Sequence, residues 1–74
     1  MKQKVLSIIA QVLGVPAEEV DLDLGIGDLP EWDSLRHVVI IDTLEKEFGI
    51  KFDQADLMEV EDVSDLISLI EDQQ

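Results

Sequence analysis

The chain has one histidine, no cysteine and no tyrosine, so few of its residues are equipped for chemistry. Ser34 and His37 stand three apart, a spacing that makes side chains neighbours on a helix. A Ser–His dyad is one thing such a pair could form. A hydrolase also needs an oxyanion hole, a group that orients the imidazole and a substrate pocket, and the sequence offers none. A structural or surface histidine is the better reading. Asp21, Asp23 and Gly25 resemble the start of a calcium loop, but the glycine falls one place early and Trp32 stands where the closing bidentate Glu belongs. No metal site is expected. Gly25 and Gly27 do not make a phosphate loop, since no lysine follows and the surrounding charge is negative. What remains is Trp32-Asp33-Ser34-Leu35, in which Asp33 and Ser34 can open a helix.

The composition narrows the function classes. Eighteen acidic residues against five Lys and Arg give 74 residues a net charge of −13. That field repels a phosphate backbone and an anionic lipid leaflet, so no nucleic acid and no membrane is expected as partner. Hydrophobic residues make up 46% of the chain, too many for a disordered acidic tail. No apolar run approaches a membrane span and no signal peptide is visible, so a cytoplasmic monomer is expected. Residues 1–74 read as a single domain. A domain this small buries only roughly 60% of its unfolded surface, and without cysteine no disulfide reinforces it. A carrier, adaptor or binding module suits this composition better than an enzyme.

The elements that must position Ser34 are helical. Val5, Ile8, Ile9 and Val12 follow the i, i+3, i+4, i+7 rule, with Leu6 and Leu13 flanking, and Gly14 and Pro16 end the helix. Val20, Leu22, Leu24 and Ile26 alternate as in a strand, but no second strand exists to pair with them. Residues 17–32 are therefore expected to form a long extended loop that pins these side chains onto a helical core. Asp33 caps a second helix from Ser34 to Phe48, closed by Gly49. Val38, Ile40, Ile41, Leu44 and Phe48 are expected to face inward, while Leu35 and Val39 lie outside beside Arg36, Asp42, Thr43 and Lys46, a modest sign of a contact surface. Asp53 is expected to cap a short third helix through Met58, with Leu57 and Met58 inward. Asp62 caps a fourth, striped by Val63, Leu66, Ile67 and Ile70. The expected fold class is all-α: a small four-helix bundle of three main helices and one short one, with a long loop between helices one and two. Charge is uneven along it, with residues 34–52 neutral inside an otherwise acidic chain.

With these pieces in order, the sequence resembles the acyl carrier protein family, the phosphopantetheine-binding carriers of fatty acid, polyketide and peptide synthesis. The resemblance spans essentially the whole chain: L-G-V-P-A-E-E-V after helix one, W-D-S-L opening helix two, L-E-K-E-F-G-I at its end, and the closing D-V-S-D-L-I-S-L-I. It implies an acyl-carrier-like bundle that catalyses nothing itself. It implies that Ser34 is joined to 4′-phosphopantetheine by a phosphopantetheinyl transferase, and that acyl intermediates are held as thioesters on that arm. The missing cysteine then makes sense, because the sulfur comes with the cofactor. Asp33, Leu35, Arg36 and Val39 are the expected recognition residues for the transferase and for acyl-transferring or acyl-activating enzymes. The chain departs from carriers of bulk fatty acid synthesis in its less acidic second helix: Arg36 follows Leu35, Val39 takes a commonly acidic place, Asp42 replaces a usual apolar contact, and Lys46 interrupts the closing acidic cluster. Those departures suggest a specialised, discrete acyl carrier. A discrete aminoacyl or peptidyl carrier and an unmodified acidic helical adaptor stay open as alternatives.

Overall fold

Gly14 and Gly49 sit in the left-handed region, at φ 73° and 65°, and end the two longest helices. Each donates its N–H to a carbonyl one turn back, Ala10 and Glu45 respectively. In the computed structural model, which describes residues 1–73, α1 runs Lys2–Leu13, α2 Ser34–Phe48, α3 Gln54–Met58 and α4 Val63–Gln73, with a single 3-10 turn at Ala17–Glu19. The described residues contain no strand. The all-α bundle expected from the periodicity is the fold observed, within 28 × 22 × 19 Å.

Helices α1 and α2 lie antiparallel, pinned at both ends. At one end, Arg36 of α2 reaches Val12 and Leu13 of α1. At the other, Lys4 pairs with Glu47 at 3.4 Å and lies 5.3 Å from the centre of the Phe48 ring. The core between them and α4 is built from Val5, Ile9, Leu13, Ile40, Leu44, Val63, Leu66 and Ile70, the side chains that the helical period singles out. Its largest member is Trp32, only 1% exposed, whose burial the sequence pattern does not reveal.

The connection between α1 and α2 is pinned, though not as a simple extended strand. Its first part coils into the 3-10 turn, and Val20 is buried with Leu22 and Leu24 half-buried against the core. Ile26, expected inward, is exposed: the alternation stops at Gly25, where the backbone turns and Gly25 N–H donates to Asp28 Oδ2 at 2.8 Å. The carbonyls of Leu24 and Leu22 accept from Val63 N–H and Ser64 N–H, at 2.9 and 3.0 Å. They thus satisfy two of the orphan donors at the start of α4, while Asp62 Oδ1 takes Asp65 N–H at 3.0 Å. The loop and the last helix form one seam.

Two further expectations about inward faces need correction. Val38 is 64% exposed and Met58 79% exposed. The buried face of α2 is narrower than the apolar arc in its sequence, because Ile40, Ile41 and Leu44 already fill the space facing α1 and α4. In α3, five residues long, Leu57 alone of the pair packs against the core. Asp53 is extended at the head of α3 but makes no side-chain cap; its backbone carbonyl accepts from Leu57 N–H instead.

Candidate functional site

The start of α2 is fixed from three sides. Asp33 is extended, and its Oδ1 accepts from Arg36 N–H at 2.8 Å, so it is the N-cap that the sequence indicates. Behind it, Trp32 is sunk in the core, and its indole N–H donates to His37 Nδ1 at 3.1 Å. The two rings stack, with centroids 6.1 Å apart and planes 28° from parallel. Ser34, the first residue of the helix, is exposed between these anchors. The serine is therefore presented on a rigid platform while its own side chain faces solvent.

His37 is half-buried, and burial pulls its pKa below the usual histidine value. With Nδ1 accepting from Trp32, the neutral ring carries its proton on Nε2. Nδ1 is thus committed to the core, and the structure gives the Ser34–His37 pair no arrangement of a catalytic dyad. A signal for this packing lies in the sequence: His37, Ile41, Leu44 and Phe48 share one helical face at i, i+4, i+7 and i+11. That face is the buried one, so His37 is its polar end.

Arg36 reaches across to α1. Its Nη1 donates to the carbonyls of Val12 and Leu13 at 3.3 and 3.2 Å, closing the end of α1, while the side chain stays exposed. Nothing in the sequence signals this bond, because it joins residues far apart in the chain. Leu35, 73% exposed, and Val39 lie on the outer side of α2 with Val38 beside them. A groove of about 470 Å³ runs between α2 and α3, lined by His37, Val38, Ile41 and Asp42 on one wall and Leu57 and Met58 on the other.

The donors at the head of α2 suit a phosphodiester. An anion on Ser34 would meet the helix's N–H groups and the positive end of its dipole, with the Asp33 carboxylate beside it already bound to Arg36 N–H. Among the described residues no group of three His, Asp or Glu side chains is placed to hold a metal ion. No helix among the described residues is long and apolar enough to cross a membrane.

An exposed serine thus heads a braced helix in a small acidic bundle. The model of the phosphopantetheine attachment site family matches residues 3–70. An acyl carrier protein of Thermotoga maritima is 41% identical over 68 residues, covering 92% of this chain and 84% of that protein. One of Solidesulfovibrio magneticus is 39% identical over 69 residues, covering 93% and 88%. A non-reducing polyketide synthase of Emericella nidulans contains a stretch 36% identical over 70 residues, 95% of this chain but 3% of the synthase. The chain belongs to the phosphopantetheine-binding acyl carrier protein family, whose members carry their cargo on 4′-phosphopantetheine.

Proposed function

We propose that Ser34 is the attachment point of the arm, and that residues 1–74 act as one carrier domain serving a dedicated acyl pathway. The observation that carries the reading is the exposed Ser34 hydroxyl on the first residue of α2, held between the Asp33 cap and the buried Trp32. The arm supplies the thiol on which an acyl group rides as a thioester. The chain's own residues hold the attachment point still, favour its anionic ester through the helix head, and present it to solvent. Tethering then replaces free diffusion of the cargo by a high effective concentration.

Partner choice follows from the surface around Ser34. Asp33 is the residue offered to the transferase, and Leu35 and Val39 form a small apolar contact on α2 with Arg36 on its flank. Brief encounters suit a small contact steered by charge. With Arg36 and Lys46 set against Asp42, Glu45 and Glu47, α2 is close to neutral, which favours a dedicated partner over one that reads a uniformly acidic helix. A net charge of −13 favours a monomer by self-repulsion, and the cytoplasm is its expected place of work. Acyl rather than aminoacyl cargo is favoured by the acyl carrier relatives.

Intact mass after incubation with coenzyme A and a broad-specificity phosphopantetheinyl transferase tests the attachment. One phosphopantetheine increment, absent in Ser34→Ala, is expected. No increment under conditions that modify a control carrier would sink the proposal and leave an unmodified adaptor as the better reading.

A further inference from the structure

His37 is the one half-buried titratable side chain at the site that the carrier role does not itself require. Three observations bear on it. Its Nδ1 accepts from Trp32 Nε1–H at 3.1 Å, and Trp32 is locked in the core. That bond fixes the neutral tautomer, so the remaining ring atom, Nε2, is a donor. Finally, His37 lines the α2–α3 groove and stands three residues after Ser34 on the same helix, a spacing that makes the two side chains neighbours on the helix surface.

We propose that His37 is a second contact for the arm, its Nε2–H donating to a phosphodiester oxygen of the group borne by Ser34. The inference rests on Ser34 being the attachment point. A neutral imidazole serves this purpose without adding a cation to the helix head, and the bond to an anionic oxygen is of the stronger, charge-assisted kind. Trp32 is then a positioning residue: it holds the ring in the tautomer and orientation that leave the donor free. The charged groups lining the two clefts that His37 borders are acidic, Asp42 and Glu45 along the groove and Glu61 and Asp62 across the cleft beside Trp32; on its own helix, Asp33 caps the same head and Arg36 is engaged with the end of α1. None of the acidic groups competes as an anion receptor, and each, like the phosphodiester, favours the protonated ring.

The test is nitrogen-15 NMR of the imidazole in the apo and holo forms of the whole chain, with intact mass establishing the holo state. In the apo protein the spectrum should show the Nε2–H tautomer. On attachment of the arm, the Nε2-bound proton should move downfield and exchange more slowly with water, and the His37 pKa should rise. Trp32→Phe, which keeps an aromatic ring and removes the indole N–H, should lose the single tautomer and most of the arm-induced shift. An arm attached at Ser34 with the Nε2 proton unmoved in both shift and exchange overturns this inference alone, even if the pKa rises through charge at a distance. A failure to attach any arm at Ser34 overturns the attachment reading and this one with it. The wild-type comparison decides the matter by itself should Trp32→Phe fail to fold.

Discussion

Replacing Arg36 with glutamine should destabilise the fold, although Arg36 is an exposed residue in the first turn of α2. Its Nη1 bridges the Val12 and Leu13 carbonyls at 3.3 and 3.2 Å, where the dipole of α1 is negative and its last carbonyls lack helical partners. Both distances are long and water can replace the donor, so the pair of bonds contributes about 0.5–1.5 kcal/mol, the range of an ordinary net hydrogen bond. A cation at a helix C-terminus adds about 0.3–1 kcal/mol at an exposed site. The two contributions overlap, since the same guanidinium makes both, and together come to about 1–2 kcal/mol, whereas a surface change that breaks nothing stays within about 0.5 kcal/mol. For a domain of this size that corresponds to a fall in Tm of roughly 5–15 °C. Thermal unfolding of wild type, Arg36→Gln and Arg36→Lys at low and moderate salt is the assay. Lysine should recover the dipole part and not the forked contact, and so fall between the other two. Arg36→Gln melting within a degree or two of wild type would refute the reasoning. The result also governs docking experiments: loss of binding in an Arg36→Glu chain reports on an interface only at temperatures where the variant is folded.

Other expectations follow from the same geometry. Gly25→Ala should destabilise by about 1–3 kcal/mol, the scale of overpacking, because a Cβ there collides with the Glu61 backbone carbonyl; a denaturant midpoint equal to wild type would count against the close seam. Ser34→Ala should abolish loading while leaving Tm nearly unchanged, since the serine is exposed. His37 has a folded pKa below its unfolded value, so the unfolded chain binds the proton first and the stability held at neutral pH is lost as pH falls through about 6.5. Wild type should therefore lose stability relative to His37→Gln between about pH 7 and 5 in paired melts, and parallel curves would contradict it. With a net charge of −13 and the ion pairs Lys4–Glu47 and Lys46–Asp42, added salt should raise Tm by relieving self-repulsion; a flat response would argue against that.

The parts of the fold legible in the sequence are those that local chemistry decides. Helical period places Val5, Ile9, Leu44, Leu66 and Ile70, and the left-handed turns at Gly14 and Gly49 require glycine whatever lies nearby. Asp33 and Asp62 cap because an Asp side chain before a helix reaches the free N–H groups of its first turn. Asp53 fails to do so even though it carries the same signal, because α3 is too short for the cap to be decisive. The misplaced residues are those whose environment is set by distant partners. Val38 and Met58 are apolar and correctly phased, yet both border an open groove rather than a packed wall. Trp32 has no periodic neighbour to predict its burial, and the contact of Arg36 depends on how α2 crosses α1. For the site itself, the exposed position of Ser34 and the capping role of Asp33 were legible. The tautomer of His37 was not, because it depends on Trp32 reaching back from the core.

The seam between the Leu22 and Leu24 carbonyls and the first turn of α4 bears on the order in which the molecule is completed. A chain emerging from the ribosome has α1, the connecting loop and α2 in hand before Val63 and Ser64 exist to receive that loop. Contacts distant in sequence form late because closing them costs chain entropy before it is repaid in contacts. Trp32, whose indole shapes the head of α2, belongs to the same core as Val63 and Leu66. A nascent chain halted before α4 therefore has Ser34 and Asp33 but lacks the packing behind them. The packing that steadies the head of α2 is thus completed by a helix that does not contain the serine.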